Sequence, residues 1–325
     1  MLSNFAYVCT GSIREAVKQL TSDGARLHAG GTDLLGCLRD HILEAEKIVS
    51  ISKLNALRGI RETAEGGLRI GALTTITEVA ESPLVRHRYR ALARAASEVA
   101  SPQLRNQGTI GGNICQKPRC WYYRGEFHCL RKGGDRCYAV GGENQFHCIF
   151  GGDMCYIVHP SDTAPALVAL EAVARIVGQR GTRKVPIEHF HILPSQDFQQ
   201  ETVLDPDEIV SEIVLPPAPS GLRSAYRKVR ARRSWDFALA GVALALRFNG
   251  STVEKARVVF SGVAPVPWRS REVEETITGR RLDANVAASA GEAAIRAAEP
   301  MEKNAYKIPL LRAVVAEELH AIAGA

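Results

Sequence analysis

The chain has 325 residues, with 41 Lys and Arg against 35 Asp and Glu, so its formal net charge is +6. Hydrophobic residues make up 46% and charged residues 23%, a composition that excludes disordered, collagen-like and coiled-coil chains. The longest apolar run, Phe237 to Leu246, is too short for a membrane helix, which needs about 20 residues. The first residues show no basic segment followed by an apolar stretch, so we expect no secretion signal. At about 100–200 residues per domain, the length predicts two or three domains.

The first half of the chain predicts alternating strands and helices. Capping boxes at Ser12–Glu15 and Thr75–Glu78 predict two helix starts, and helical spacing resumes at Leu34. An amphipathic helix is predicted over 84–100, with Pro102 expected to end it. Strands are predicted at 25–29, 47–52 and 68–72, and a further helix is predicted to be capped by Asp162 and Thr163.

The last third of the chain has a different pattern. Residues 178–221 are richer in proline, glycine and charge, which predicts a linker with one strand at 209–215. Strands followed by helices then predict an α+β domain. The predicted strands are 222–230, 236–248 and 253–263, and the predicted helices are about 271–277, 285–298 and 310–322.

Two double-glycine loops, at 29–34 and 109–114, stand out in the first half. Glycine allows positive φ and a close approach of the backbone to a ligand, and successive free N–H groups form a nest for a pyrophosphate. Neither loop is a Walker loop or the G-x-G-x-x-G fingerprint of dinucleotide-binding folds. A tight structural turn therefore remains the alternative for either loop taken alone.

Cysteine is the unusual residue of this chain. A disulfide framework is typical of small secreted domains, and structural zinc typically uses C-x2-4-C pairs, whereas no C-x-x-C pair occurs here. An iron–sulfur cluster requires four thiolates whose spacing varies widely between proteins. The residues favour a cluster, with zinc, disulfides and incidental surface thiols as alternatives. Of eight cysteines, six lie within 41 residues, at Cys115, Cys120, Cys129, Cys137, Cys148 and Cys155.

Basic residues surround these cysteines, and positive charge stabilises thiolates and the anionic cluster that they form. His128 and His147, each beside a cysteine, are expected to be exposed loop residues. The basic residues are Lys117, Arg119, Arg124, Arg131, Lys132 and Arg136, against Glu126 and Asp135.

Another six cations lie in eleven residues at 223–233, a density that would suit nucleic acid. Apolar residues alternate between them as in a strand, and Tyr226 is the one aromatic residue available for stacking. We favour a strand that faces ligand phosphates or a partner subunit. A zinc- or cluster-containing nucleic-acid-binding protein is the alternative.

Taken together, the two glycine loops resemble the flavin-pyrophosphate loops of the FAD-binding subunit of xanthine dehydrogenase-type molybdenum hydroxylases. The resemblance implies an α+β fold, in which a two-lobed PCMH-type FAD-binding domain precedes a CO dehydrogenase flavoprotein-type C-terminal domain with a three-stranded antiparallel sheet and helices. Further matching segments are 51–54, 71–75, 101–108, 161–167 and 226–239. The implied division is an N-terminal lobe at 1–58, a second lobe at 59–178, a linker and strand at 179–221 and a C-terminal domain at 222–325.

A subset of this family carries a [4Fe–4S] insertion between the second loop and an Asp. It includes the FAD subunits of periplasmic aldehyde oxidoreductase and of 4-hydroxybenzoyl-CoA reductase. Residues 112–123 are most similar to the aldehyde oxidoreductase type, which places the insertion at about 115–155. The resemblance implies cluster ligation by Cys120, Cys129, Cys137 and Cys155, with Cys148 as the rival for the fourth position and Cys115 packed near the flavin.

The resemblance also implies residues that bind FAD. Asp162 is expected to hold ribityl or ribose hydroxyls, and Lys228 to lie near the isoalloxazine, with a solvated strand charge as its alternative. No residue of this chain is expected to catalyse the substrate reaction. The residues expected at the pyrophosphate loops are Ala29, Gly30, Gly31, Thr32, Asp33, Leu34, Gly108, Thr109, Gly111, Gly112 and Asn113.

The implied function is electron transfer within a molybdenum hydroxylase or aldehyde oxidoreductase complex. One partner subunit would hold the molybdenum cofactor and another two [2Fe–2S] clusters, in a heterotrimer or its dimer. Electrons would pass from the near cluster to FAD and then to an external acceptor, without nucleic acid or membrane partners. The alternatives are a subunit of a 4-hydroxybenzoyl-CoA reductase-like enzyme and a stand-alone flavin oxidoreductase. We expect a cytoplasmic protein, or a periplasmic one co-exported with a signal-bearing partner.

Overall fold

The computed structural model describes residues 2–324 and begins with a small parallel sheet. β3 lies between β1 and β2 and runs parallel to both. Helix α1 buries Ala16, Val17 and Leu20 in the core of this first lobe. The elements are β1 (Ala6–Cys9), α1 (Ile13–Leu20), β2 (Ala25–His28), α2 (Leu34–Arg39) and β3 (Lys47–Ser50).

The second lobe is a five-stranded antiparallel sheet with helices packed against it. Its strand order is β4-β5-β8-β6-β7, so β8 lies in the middle of the sheet although it is the last of these five strands in the sequence. The strands are β4 (Ile60–Glu62), β5 (Leu68–Gly71), β6 (Val173–Gly178), β7 (Gly181–Pro186) and β8 (Ile209–Leu215). The helices are α3 (Ile76–Glu81), α4 (Pro83–Arg88), α5 (Arg90–Ser97), α6 (Pro102–Gln107), α7 (Ile110–Ile114), α8 (Trp121–Arg124) and α9 (Thr163–Ala169).

A four-stranded antiparallel sheet and three helices form the C-terminal part. Alternate residues of β10 point to opposite faces, as the strand period requires. Val242, Leu244 and Leu246 pack with the helices of this part, whereas Ala243 and Ala245 pack into the core of the second lobe. The elements are β9 (Leu222–Val229), β10 (Ala240–Asn249), β11 (Thr252–Ser261), β12 (Trp268–Arg269), α10 (Arg271–Ile277), α11 (Ala284–Ala294) and α12 (Lys307–Ala323).

Four sequence predictions about these elements are wrong. The helix predicted over 84–100 is divided at Tyr89, whose φ of −133° and ψ of 57° are not helical. Pro102 begins α6 instead of ending a helix, because a proline needs no N–H at the first helical position. The predicted linker contains β7 and the central strand β8, and β12 adds a fourth strand to the C-terminal sheet. The division of the chain at 58, 178 and 221 stays a prediction.

The capping predictions have mixed outcomes. Thr75 and Glu78 form a complete capping box. Ser12 caps α1, but Glu15 accepts its hydrogen bond from the N–H of Gly11. Asp162 makes no capping bond with its side chain. Among the helices of residues 2–324, none combines the length and the hydropathy needed to span a membrane.

Candidate functional site

The two glycine loops lie directly against each other. The first connects β2 to α2. The second, predicted as a loop at 109–114, instead forms the short helix α7, with Thr109 as its N-cap. A Cβ atom at Gly30 would lie 2.0 Å from the carbonyl oxygen of Gln107, so this contact leaves no space for a side chain. Gly31 has a φ of +75°, a left-handed conformation that favours glycine. Both glycines of the first loop are therefore required by the structure.

The second loop is fixed by the turn between β5 and α3. The N–H of Ile110 donates to the carbonyl oxygen of Thr74 at 2.9 Å, and the N–H of Gly111 to that of Ala72 at 3.0 Å. Close packing accompanies these bonds, since a Cβ at Gly111 would lie 2.9 Å from the Cβ of Ala72. The loop is thus fixed by backbone contacts to a neighbouring element.

A cavity opens between the two loops, and we call it the cradle. Four of the residues that line it are glycines, and at these positions the backbone allows the close approach of a pyrophosphate. The cradle therefore fits the pyrophosphate part of FAD. Nine of the predicted cofactor residues line it, namely Ala29, Gly30, Gly31, Thr32, Asp33, Leu34, Thr109, Gly111 and Gly112.

Two predicted residues are committed elsewhere in the structure. The side-chain oxygen of Asn113 accepts hydrogen bonds from the hydroxyls of Ser161 and Thr163, both at 2.6 Å. The carboxylate of Asp33 accepts from the N–H of Lys117 at 2.7 Å and pairs with arginines of the cysteine insertion. The carboxylate of Asp33 is therefore engaged within the chain, whereas Asn113 uses its side-chain oxygen and not its amide N–H groups.

Asp162 and Lys228 form a buried ion pair with an Nζ–Oδ2 distance of 2.7 Å. The hydroxyl of Tyr226 donates to the other carboxylate oxygen at 2.8 Å, and Lys228 also donates to the carbonyl oxygen of Glu98 at 3.2 Å. Burial raises the pKa of Asp162, and the charge of Lys228 opposes that rise. The Lys228 side chain is 1% exposed, so the alternative of a solvated strand charge is wrong.

A second cavity, of about 280 Å3, lies beside Asp162. Cys120, Trp121 and Phe146 of the cysteine insertion form one wall, and the C-terminal part contributes residues 236–239. Asp162 therefore lies where the cysteine insertion, the second lobe and the C-terminal part meet.

The cysteine insertion, residues 115–155, brings several thiols together. Burial raises the pKa of Cys120 to about 12 and that of Cys155 to about 11. The thiols of Cys137 and Cys155 raise the pKa of Cys120 further, and they also contribute to the raised pKa of Cys148. Both candidates for the fourth ligand, Cys148 and Cys155, thus lie in one group of thiols. Cys129 is also buried.

The geometry of these thiols differs from that of a single metal site. Within residues 2–324, no three His, Cys, Asp or Glu side chains are grouped to hold one ion. Zinc requires four ligands within about 2.0–2.3 Å of one ion. A cluster of several irons holds its sulfurs further apart, and a set of thiolate donors matches its chemistry. Arg131, with a side chain 2% exposed and an unpartnered Nε, lowers the pKa of Cys155 and would stabilise a thiolate there.

His147 was expected to be an exposed loop residue, and the structure corrects this. It is 5% exposed, and its Nε2 lies 3.2 Å from the Sγ of Cys120. Burial lowers the pKa of His147 to about 4, so the ring is neutral near pH 7. The histidine is therefore part of the surroundings of the thiol group.

The C-terminal part holds the end of the cysteine insertion through side chains that the sequence did not indicate. Asn304 is fully buried and donates to the carbonyl oxygens of His147 at 3.2 Å and Cys148 at 3.0 Å. Lys307, also fully buried, donates to the carbonyl oxygens of Phe146 at 3.2 Å and Gly262 at 2.6 Å. Both lie more than 150 residues along the chain from the segment they hold, and no local pattern marks them.

The cation run at 223–233 pairs largely within the chain. Arg227 binds Glu317 of α12, and Arg230 binds Glu98 at 2.8 Å. Arg223 donates to backbone carbonyls at the end of α12. Together with the buried Lys228, these contacts account for four of the six cations without nucleic acid.

Comparisons with known proteins give the same picture over the whole chain. The family described as "FAD binding domain in molybdopterin dehydrogenase" matches residues 3–218, and the "CO dehydrogenase flavoprotein C-terminal domain" matches residues 224–321. The aldehyde oxidoreductase FAD-binding subunit PaoB of Escherichia coli (strain K12) is 35% identical over 300 residues, covering 91% of each chain. The carbon monoxide dehydrogenase medium chain of Hydrogenophaga pseudoflava is 33% identical over 303 residues, covering 92% of this chain and 88% of the relative.

Solved structures agree with these relatives. A carbon monoxide dehydrogenase structure from Hydrogenophaga pseudoflava superimposes with a TM-score of 0.79 and 28% identity, covering 100% of this chain and 99% of the other. The predicted family, fold class, FAD cofactor and oxidoreductase assignment are thereby confirmed. The chain belongs to the FAD-binding subunits of molybdenum hydroxylases of the xanthine dehydrogenase and CO dehydrogenase type.

Proposed function

We propose that this chain is the FAD-carrying electron-transfer subunit of a molybdenum-containing aldehyde oxidoreductase complex. The observation that carries the proposal is the set of neighbouring cysteine thiols in the insertion. These thiols lie beside Asp162, in a chain that also has a FAD cradle. The 35% identity to an aldehyde oxidoreductase FAD-binding subunit supports the substrate class. Substrate oxidation would take place in a partner that holds the molybdenum cofactor, so no catalytic residue is assigned to this chain.

Backbone N–H groups of the first loop would hold the pyrophosphate of FAD, because those of Ile110, Gly111 and Gly112 in the second loop already donate within the chain. Asp162, held by Lys228 and Tyr226, would accept hydrogen bonds from hydroxyls of the flavin side chain. Lys228 would place positive charge near the isoalloxazine. When bound, FAD accepts electrons singly or in pairs and passes them to an acceptor. The residues proposed for the pyrophosphate are Ala29, Gly30, Gly31, Thr32, Asp33, Leu34, Gly108, Thr109, Gly111, Gly112 and Asn113.

We further propose that the cysteine insertion holds a [4Fe–4S] cluster. Cys120, Cys129, Cys137 and Cys155 are the proposed ligands, and Cys148 is the alternative to Cys155. The mutual influence of the thiols and the charge of Arg131 support this proposal. Serine substitutions test it: replacing a ligand should remove iron and the EPR signal of the cluster, whereas Cys9→Ser, an exposed control in β1, should change neither. Retained cluster in Cys155→Ser together with its loss in Cys148→Ser would reverse the assignment.

The proposed partners are a molybdenum-cofactor subunit and a subunit with two [2Fe–2S] clusters, in a heterotrimer or its dimer. Electrons would enter from the partner's near cluster and leave to an external acceptor. We propose a cytoplasmic complex, with co-export to the periplasm by a signal-bearing partner as the alternative. Within the chain, we propose lobes at 1–58 and 59–178, a segment at 179–221 that adds β7 and β8 to the sheet of the second lobe, and a C-terminal domain at 222–325.

An absorption spectrum of the purified chain is the first test. Flavin bands with a broad iron–sulfur shoulder are expected. Flavin without the shoulder would overturn the cluster, and a spectrum without flavin after incubation with FAD would overturn the assigned cradle. The second test is the native complex, purified through a tag on this chain, with an artificial electron acceptor. Oxidation of aldehydes is expected, and turnover of aromatic acyl-CoA instead would favour the reductase-like alternative.

A further inference from the structure

We infer that Asp33 is a positioning residue that couples the FAD cradle to the cysteine insertion. Filling the cradle would then stabilise the insertion, and an ordered insertion would strengthen FAD binding. The inference rests on the proposed FAD site, and it assigns to the Asp33 carboxylate a role other than contact with the pyrophosphate.

The carboxylate of Asp33 has one weak contact with the helix that follows it, from the thiol of Cys37 at 3.8 Å. Asp33 precedes α2, but its side chain makes no capping bond there. One carboxylate oxygen accepts from the backbone N–H of Lys117 at 2.7 Å. The other pairs with Arg124 at 2.8 Å and with Arg119 at 2.9 Å. A residue of the first glycine loop thus binds three residues of the insertion.

These bonds are stronger than an ordinary surface ion pair. The side chains of Asp33 and Arg124 are 18% and 15% exposed, so solvent screens their charges less than on an open surface. Hydrogen bonds between charged groups are about twice as strong as neutral ones. Removing the carboxylate would also leave partly buried guanidinium groups without their counter-charge, which is more damaging than losing an exposed pair.

The charge balance at the cradle supports the same role. An unpaired carboxylate in the first loop would repel a pyrophosphate across the cavity. Asp33 with Arg119 and Arg124 carries a net charge of one positive unit, because two cations face one anion. The other two carboxylates that line the cradle, Asp205 and Glu208, are each balanced by an arginine. The insertion therefore converts an unfavourable charge beside the cradle into a favourable one, and this requires that the insertion be in place.

A line of contacts continues from Asp33 to the thiols. Lys117 lines the cradle and pairs through its side chain with Glu201. Glu201 also binds Arg131, whose charge acts on Cys155. Cradle and thiols are thus joined by ion pairs and hydrogen bonds without a gap. Contact alone does not prove coupling, so the test must measure it.

The test uses the full-length chain with its flavin removed, titrated with FAD, and compares Asp33→Asn, Arg124→Gln and the double variant. Arg124 does not line the cradle, so its effect on FAD reports on coupling. We expect each single variant to weaken FAD binding by about fivefold or more, at the lower end of typical coupling factors. We expect the double variant to be no weaker than the worse single variant, because both remove one interaction.

Two controls separate coupling from damage. Arg124→Lys keeps the positive charge but loses the Nε–H bond to the carbonyl oxygen of Pro118, so its FAD affinity should lie between those of Arg124→Gln and the wild type. Asp40→Asn removes an exposed carboxylate at the other end of α2 and should have no effect. Hydrogen exchange adds a second readout: FAD should slow exchange over residues 117–136 in the wild type, and much less in Asp33→Asn.

Three outcomes would overturn the inference. The first is wild-type FAD affinity in Arg124→Gln, and the second is a double variant whose loss equals the product of the single losses. The third is exchange over 117–136 that does not respond to FAD in the wild type. If the wild-type chain bound no FAD at all, the proposed function would be wrong, and the inference would fall with it.

Discussion

The cradle and the cysteine insertion are neighbours that are fixed by different kinds of bonds. In the cradle, backbone N–H groups of Ile110 and Gly111 donate to backbone carbonyls of the adjacent turn. In the insertion, side chains from distant elements bind the chain, including Asp33 on one side and Asn304 on the other. All of residues 115–155 are described, and they contain one four-residue helix and one 3₁₀ turn.

This difference decides what a substitution can do in each region. Backbone pairing tolerates many side chains, so the cradle should be sensitive chiefly where glycine permits a close approach. The insertion has little regular structure of its own, so single side chains outside it should control its shape. The predictions below test this contrast in order of decreasing effect.

Gly30→Val should cause the largest loss. A Cβ at this position would lie 2.0 Å from the carbonyl oxygen of Gln107, so the two loops must separate. Overpacking typically destabilises by about 1–3 kcal/mol, and a clash with backbone belongs at the upper end. We expect loss of most bound flavin, measured as the ratio of flavin to protein absorbance, together with a lower urea midpoint.

Gly36→Ala is the matched control for that variant. Gly36 lies in α2, and a Cβ there would meet no atom within 4 Å. Alanine in a helix should raise the free energy of unfolding by about 0.5–1 kcal/mol and leave flavin content unchanged. Equal flavin content in Gly30→Val and Gly36→Ala would refute the loop contact.

Asn304→Ala should act on the insertion and leave the cradle in place. The substitution leaves two buried carbonyls and the N–H of Met301 without a partner. Unsatisfied buried groups cost about 1–3 kcal/mol, so we expect a loss near 2 kcal/mol in urea unfolding. Hydrogen exchange should accelerate over residues 143–149 but not over 108–113.

The exposed Asn285 of α11 provides the control, since Asn285→Ala removes a similar side chain without a buried partner. Unchanged exchange over 143–149 in Asn304→Ala would show that the insertion holds its own shape. That result would contradict the claim that side chains outside the insertion control its shape.

The same contrast explains how much could be predicted from the sequence. The glycine loops, both helix starts at capping boxes and the strands β9 to β11 follow from local patterns, and the structure contains them. The break at Tyr89 was missed because its hydroxyl donates to the carbonyl oxygen of Pro216, 127 residues away. The hydrogen bonds from Asn304 to the insertion also join residues far apart in the chain, and the pattern of cysteines does not predict them.

Glu188→Gln tests a link between the second lobe and the C-terminal part that does not involve the insertion. Glu188 binds Arg257 at 2.6 Å and Arg269 at 2.9 Å. Burial would raise its pKa, but these arginines outweigh burial and lower the pKa to about 2, against an ordinary 4.5. The stabilisation is therefore present above about pH 4.5 and is lost as the pH falls towards 2.

The expected loss in Glu188→Gln at neutral pH is about 2 kcal/mol, less than the full pKa shift would give because solvent screens this partly exposed group. The stability of the variant should also fall less than that of the wild type between pH 4.5 and 2. Urea unfolding at several pH values measures both. Iron content and exchange over 143–149 should stay at wild-type values, because the insertion is held by other contacts. If the free energy of unfolding of the variant fell between pH 4.5 and 2 as steeply as that of the wild type, Glu188 would not be the stabilising group.

Thr75→Ala should have the smallest effect. Thr75 caps α3 by accepting from the N–H of Glu78, and it pairs with Thr109 of the second loop. Loss of a cap costs about 1 kcal/mol.

Ser12→Ala is the control, because it removes a similar cap from α1, remote from the cradle wall, and should cost about the same stability. Because the pairing with Thr109 uses backbone groups that alanine retains, both variants should bind FAD equally well in a titration. A weaker FAD affinity in Thr75→Ala alone would mean that side chains also shape the cradle.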